Sequence, residues 1–313
     1  MANNDLLIRV AWLYYIERLT QQEIGDRLHL PRVKVTRLLD RARDEGIVEI
    51  RIAKPTTHLE LERDLRQQFG LQDALVVPTP LNGERLRGAL AEAAAGYLQA
   101  LFRPGLVIGL GMGRTLAEIP DYIEPRGGSG CTFVEMVGGA GRADLGFDTY
   151  NVSWRLAERC GGMAIHVYAP VVVESEQARA ALLQDQQNVS ALEQAAQSHV
   201  GLVGIGPVDD DMLLCQLGYC DVRSTNDLRA RGAVGDILGH FFDLQGRPVP
   251  AAVDSRIIGL SLDQLRAIPT TIAVAGGLEK TEAILGALRG HYVTVLITDT
   301  QTAQAVLQRR QAL

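Results

Sequence analysis

No apolar run in this 313-residue chain approaches the roughly 18–20 residues needed to cross a bilayer, so a membrane-spanning helix is not expected. The opening residues Met1-Ala-Asn-Asn-Asp5 lack the basic and then apolar stretches of a secretory signal, and the expected location is the cytoplasm. Internal repeats and low-complexity tracts are missing too, which argues against solenoid architectures. Cysteine is scarce. Cys131, Cys160, Cys215 and Cys220 are scattered among apolar or glycine neighbours, as expected of buried thiols. Cys215 and Cys220 are five apart, neither a zinc-ribbon nor a redox spacing, and no histidine follows at ligand distance. Neither a metal nor a cofactor is expected. The net charge of −6 excludes a chain that is basic throughout, but not a local basic patch, because partners respond to local fields.

What is present is an ordinary globular composition, 47% hydrophobic and 22% charged, sufficient for a sizeable core. The length suits one large domain and one small. Charge is divided unevenly between them. Residues 1–54 hold ten lysines and arginines against eight acids, a net of +2, which leaves −8 for the remainder. Between Arg27 and Arg43 six basic residues face a single acid, Asp40. A small basic end on an acidic body points to an anionic partner for that end alone.

Periodicity divides the chain into three parts. Residues 1–54 read as a helical domain and 55–70 as a linker carrying an amphipathic helix over His58–Phe69. Residues 71–313 then alternate strands and helices. Expected strands are Ala74–Val77, Leu106–Leu110, Cys131–Val137, Met163–Tyr168, Val200–Ile205, Thr271–Ala275 and Val293–Thr298. Strands rich in Val, Ile and Leu on both faces, separated by helices, predict a Rossmann-like, mainly parallel α/β sheet covered on both sides. The expected fold class is therefore α/β, with a small N-terminal winged helix-turn-helix ahead of the larger domain.

Three helices are legible at the N-terminus. The first, Asp5–Arg18, places Leu7, Val10, Ala11, Tyr14 and Tyr15 on one face. The second opens with Thr20-Gln21-Gln22-Glu23, the pattern of a capping box. His29-Leu30 makes the turn, and Pro31 suits the first position of the third helix. In that helix Val35, Leu38, Leu39 and Ala42 are spaced to face the core. The opposite face carries Val33, Thr36, Arg37, Asp40 and Arg41, flanked by Arg32 and Lys34. Such a face suits a DNA major groove: Arg37 to read guanine, Thr36 to serve several bases, and Val33 to meet a thymine methyl. Arg32, Lys34, Arg41 and Arg43 suit phosphate contacts, with Thr20 and Gln21 at the start of the preceding helix as further DNA-facing candidates. Gly46 closes the helix, and the alternation of Ile47–Ile52 predicts a wing strand.

Leu13-Tyr14-Tyr15, Leu19-Thr20-Gln21-Gln22-Glu23-Ile24, Val35-Thr36-Arg37-Leu38-Leu39 and Gly46-Ile47-Val48 resemble the helix-turn-helix of SorC-type regulators, grouped with the DeoR-like regulators of bacteria. The resemblance continues through the segments 106–115, 137–139, 203–206, 232–237, 275–280 and 296–299 and so spans nearly the whole chain. It implies an effector domain related in fold to sugar-phosphate isomerases and deaminases. It also implies operator DNA as a partner, homo-oligomers (commonly tetramers), and control of a carbohydrate or polyol catabolic operon by a small phosphorylated sugar or polyol.

The residues supply a candidate phosphate site of their own. Gly109-Leu-Gly111-Met112-Gly113-Arg114-Thr115 follows an apolar strand and opens a helix, where glycines admit close backbone approach and N–H groups bind anions. Its spacing is G-x-G-x-G, not the dinucleotide G-x-G-x-x-G. The chain departs from the family at Met112, where many members carry a bulky aromatic after a serine, at a position that shapes the pocket above the loop. Gly138 and Gly139 are candidates for the opposite wall, Asn151 and Asp236 (the latter in a predicted loop) for hydroxyl contacts, and Lys280 for phosphate neutralisation. The rival reading is an active isomerase or deaminase fused to the DNA-binding domain. His166, His199, His240 and His291 show no evident acid–base pairing in the sequence, which favours a switch over an enzyme.

Overall fold

The computed structural model describes residues 2–48, 57–81, 85–125, 127–139, 141–142 and 147–311. The chain divides into two compact units, Met1–Thr56 and Thr57–Leu313. The small unit is built from α1 (Ala2–Tyr15), α2 (Gln21–Leu28) and α3 (Arg32–Asp44). Its core joins Leu7, Val10, Ala11 and Leu13 of α1 to Ile24 of α2 and to Val35, Leu38, Leu39 and Ala42 of α3; Leu13 is outside the predicted face, and Tyr14 and Tyr15 are only partly buried against this core. Ile47 and Val48 pack against this core, whereas residues 49–52 of the expected wing lie outside the described residues.

In the large unit α4 (Thr57–Phe69) leads, and its Leu61 and Leu65 are buried in that unit's core. The helix expected as a linker is thus packed into the second unit. Next come β1 (Asp73–Val77), α5 (Leu86–Leu101), β2 (Val107–Leu110), α6 (Arg114–Tyr122) and β3 (Thr132–Glu135). The short pair β4 (Gly141–Arg142) and β5 (Phe147–Asp148) precedes α7 (Thr149–Cys160) and β6 (Met163–Ile165). After α8 (Glu176–Leu182) and α9 (Gln186–Ala196) come β7 (Val200–Gly204), β8 (Gly206–Pro207), α10 (Leu213–Gln216) and α11 (Val222–Ala230). The chain ends with β9 (Ala233–Ile237), β10 (His240–Asp243), α12 (Leu262–Ala267), β11 (Thr270–Val274), α13 (Thr281–Arg289), β12 (Val295–Asp299) and α14 (Thr300–Gln311).

Seven strands form one sheet in the order β1-β12-β11-β7-β2-β3-β6, and every described pairing in it is parallel. Successive side chains alternate between two cores. Ile272, Val274, Val295 and Ile297 face one layer with the alanine-rich α5, while Ala273 and Leu296 face the other. That period of two, apolar on both sides, makes the strands read as continuous hydrophobic runs. After β2 the chain adds β3 and β6 on one side. It then returns to lay β7, β11 and β12 on the other. The sheet therefore has a topological switch point between β2 and β7, where ligands collect in parallel sheets.

Two features depart from the sequence reading. A second sheet, β10-β9-β8, is antiparallel and was not foreseen. Cys131 and Cys160 are buried thiols as expected, but Cys215 and Cys220 are joined as a disulfide. The single turn of α10 followed by Gly218 at φ +84° doubles the chain back, bringing the two Cα atoms to 4.5 Å.

Candidate functional site

In the small unit the Thr20 hydroxyl accepts the Glu23 N–H at 3.3 Å while Glu23 accepts the Thr20 N–H at 2.7 Å, which completes the capping box. These bonds hold the Glu23 carboxyl below its ordinary range, the Thr20 backbone donor being the largest cause. A Cβ at Gly25 would stand 2.7 Å from the Leu30 carbonyl oxygen, so the tight turn at His29–Pro31 needs glycine there. Pro31 proves to be the residue before α3, with Arg32 first in the helix. Arg32, Val33, Lys34 and Arg37 are exposed on the outer face, and Val33 remains 64% exposed despite being apolar. Thr36 is only half-exposed because its hydroxyl bonds Gln21 Oε1 at 2.9 Å, tying α3 to α2. Arg41 is engaged with Glu45 at 2.6 Å, and Arg43 with Asp40.

In the large unit a cavity of about 330 Å³ opens at the switch point, at the C-terminal ends of β2, β7 and β11. Met112, Gly113, Arg114 and Thr115 reach it from the start of α6, Asp236 from β9, and Lys280 from the residue preceding α13. Six of the ten residues expected at the site are thereby brought together. Gly111 is not among the lining residues; it is buried, and its N–H is donated to the Leu202 carbonyl at 2.8 Å. Gly138 and Gly139 are not at the lining either. Their N–H groups bond the carbonyls of Ile258 and Ala169, because this stretch pairs as backbone with neighbouring segments. Asn151 lies in α7, but its side chain is outside the described residues.

The cavity also contains residues the sequence did not single out: Arg87 from α5, and Asp209 and Asp211 from the segment after β8. Asp236, expected in a loop, is on a strand, paired with Gly206 of β8. The carboxylate lies directly over Gly206, where a Cβ would stand 2.2 Å from Asp236 Oδ1. A glycine two residues after the C-terminus of a buried strand was the available signal. The Asp236 carboxylate accepts the Gly239 N–H at 3.1 Å. Although the residue keeps partial exposure through the cavity, its carboxyl is desolvated. That burial pushes its pKa up to about 6, against the opposing pull of the Gly239 N–H, Lys280 and His240. Burial likewise depresses the Lys280 ammonium, with Arg114 and Arg87 adding repulsion, and Glu279 and Asp236 pulling the other way. Burial raises Asp209 as well.

The cavity carries both signs of charge. Arg87, Arg114 and Lys280 line it together with Asp209, Asp211, Asp236 and Glu279, and the first N–H groups of α6 have no side-chain cap. Asp299 fixes the loop that carries Lys280. It is buried at the end of β12 and accepts the Gly277 N–H at 3.1 Å, besides the hydroxyls of Thr79 and Thr302. Burial opposes its charge, but these bonds prevail and hold its pKa low.

Two histidine–carboxylate pairs correct the sequence reading. His166 Nδ1 lies 2.9 Å from buried Glu135, which also accepts from Ser153, and His240 Nδ1 lies 3.2 Å from Asp254. None of these five residues lines the cavity.

The chain belongs to the SorC-type sugar-binding transcriptional regulators: the family profile described as "Putative sugar-binding domain" matches residues 53–308. It is 34% identical to the transcriptional regulator LsrR of Klebsiella pneumoniae over 312 residues, covering 98% of this chain and 94% of that one. It is 32% identical to the deoxyribonucleoside regulator of Bacillus subtilis, covering 97% of each. Among solved structures, the full-length sorbitol operon regulator SorC of Klebsiella pneumoniae superposes with a TM-score of 0.75 at 28% identity, covering 97% of this chain and 98% of that one.

Proposed function

We propose that the large unit binds a phosphorylated sugar or polyol in the switch-point cavity, and that this ligand controls binding of operator DNA by the outer face of α3. The observation that carries the reading is the cavity of mixed charge at the switch point. Arg87, Arg114, Lys280 and the uncapped start of α6 suit a phosphate, and Asp209 and Asp236 suit hydroxyls. On α3, Arg37 with Val33 is the base-reading pair and Arg32, Lys34 and Arg41 are phosphate contacts, while Thr20 and Gln21 at the start of α2 face the same groove and Gln21 holds Thr36. The protein acts in the cytoplasm as a homo-oligomer, a tetramer, on a carbohydrate or polyol catabolic operon, as a switch and not as an enzyme. Among the described residues neither histidine–carboxylate pair lines the cavity, which supports the last point. The test is a melting-temperature screen of matched phosphorylated and unphosphorylated sugars and polyols. A ligand at 100 times its Kd adds about 2.7 kcal/mol of stability. The reading expects a shift with phosphorylated members alone, lost in Lys280→Ala; equal shifts with both sets would refute the phosphate assignment.

A further inference from the structure

Two large apolar side chains of α1, and a third in the turn just past its end whose N–H still bonds the Trp12 carbonyl, stay outside the core of the small unit. Ile8, Trp12 and Ile16 are 49%, 56% and 61% exposed. Their spacing of four puts them on one line along the helix. At about 100° per residue that line falls on the side opposite Leu7, Val10 and Ala11, which pack inward. Single exposed hydrophobics need no explanation, but a continuous ridge does.

Beside the ridge runs a shallow groove whose walls include Asp5, Arg9, Glu17 and Arg27. Glu17 and Arg27 are ion-paired at 2.8 Å and remain exposed. Asp5 and Arg9 thus stand toward the N-terminal end of α1, and Glu17, paired with Arg27 of α2, stands just past its C-terminal end. A second copy laid parallel about a two-fold axis would put the two grooves on opposite edges, leaving their charges without partners. A second copy reversed about a two-fold axis at Trp12 brings the Asp5 and Arg9 end of one groove against the partner's Glu17–Arg27 pair, an acid and a base on each side. The same reversal places Ile8 over the partner's Ile16, so the apolar ridge and the charges close in one register.

We infer that α1 docks antiparallel on α1 of a second copy through the Ile8–Trp12–Ile16 ridge, joining two small units about a two-fold axis. The contact uses the side of α1 turned away from α3, so the exposed face of α3 stays free. A two-fold pair is also the arrangement that a palindromic site of two half-sites demands. This inference goes beyond the ligand reading and does not depend on it.

The test uses the full chain, purified and without DNA. A benzoylphenylalanine photo-crosslinker replacing Trp12 is expected to capture the α1 peptide of a second copy. Capture of a peptide from residues 57–311, or no covalent dimer, overturns the proposal. An equimolar mixture of Ile8→Cys and Ile16→Cys chains, gently oxidised, is expected to give mainly the mixed 8–16 disulfide by peptide mapping. Predominance of 8–8 and 16–16 links overturns the antiparallel register. Trp12→Glu should abolish the mixed link while leaving the helical circular dichroism of the full chain unchanged, since Trp12 takes no part in the core.

Discussion

Asp236→Asn should stabilise the ligand-free protein at neutral pH. The Asp236 carboxyl is raised from 3.8 to about 6, chiefly by desolvation. A gap of about two units at 1.36 kcal/mol each sets a ceiling of about 3 kcal/mol on the cost of ionising it in the fold. The partial opening of the cavity lets water screen that charge, so about half the ceiling is a working figure, or about 3–6 °C in Tm for a unit of this size. The sign follows from proton linkage. Between pH 4 and 6 the folded state holds a proton that the unfolded state has released, so wild-type stability falls as pH rises through this window and the cost is constant above it. The gain from Asn should therefore be absent below about pH 4, grow to pH 6 and stay level to pH 8. Loss of a counter-charge to Lys280 limits the gain without reversing it, because Glu279 is the larger attraction on that lysine. Thermal melts of both proteins from pH 4 to 8 supply the assay. A variant less stable than wild type at pH 8, or a gain independent of pH, would refute the reasoning.

Other changes test neighbouring parts. Gly206→Ala should displace the Asp236 carboxylate, costing about 1–3 kcal/mol by overpacking, and should shrink the ligand-induced shift in Tm. Asp299→Ala leaves the Thr302 N–H and the Thr79 and Thr302 hydroxyls without this acceptor and should cost about 3 kcal/mol at neutral pH, read from denaturant midpoints. Because the Asp299 pKa is depressed in the fold, that difference should fade as pH drops below about 4. Arg37→Ala should remove about 1–3 kcal/mol of base discrimination, seen by fluorescence anisotropy with matched and mutated DNA, at unchanged melting temperature.

All seven strands of the parallel sheet were legible, because burial on both faces leaves long Val, Ile and Leu runs that helices then punctuate. The antiparallel sheet was not. Its hairpin turns on Leu238 at φ +55° and Gly239 at φ +85°, and leucine is an unfavoured residue there, so the usual Asn-Gly or Asp-Gly mark is missing. Asp236 was therefore picked out as a site residue but assigned to a loop. Met112 to Thr115 and Lys280 were found because they sit at strand-to-helix junctions, which sequence reveals. Arg87 and Asp209 were not, since one lies inside a helix and the other beyond a two-residue strand. The wall assigned to Gly138 and Gly139 failed for a different reason. Glycines after a strand also serve backbone pairing, and here they meet Ala169, Pro170 and Ile258.

The most direct measurement joins the two units. Binding of the full chain to DNA from upstream of its own coding region would be titrated with and without a phosphorylated sugar that raises its melting temperature. A coupling of about 1–3 kcal/mol, or about 5–150-fold in Kd, is predicted, and it should vanish in the Lys280→Ala protein. Identical isotherms with and without the ligand would contradict the account.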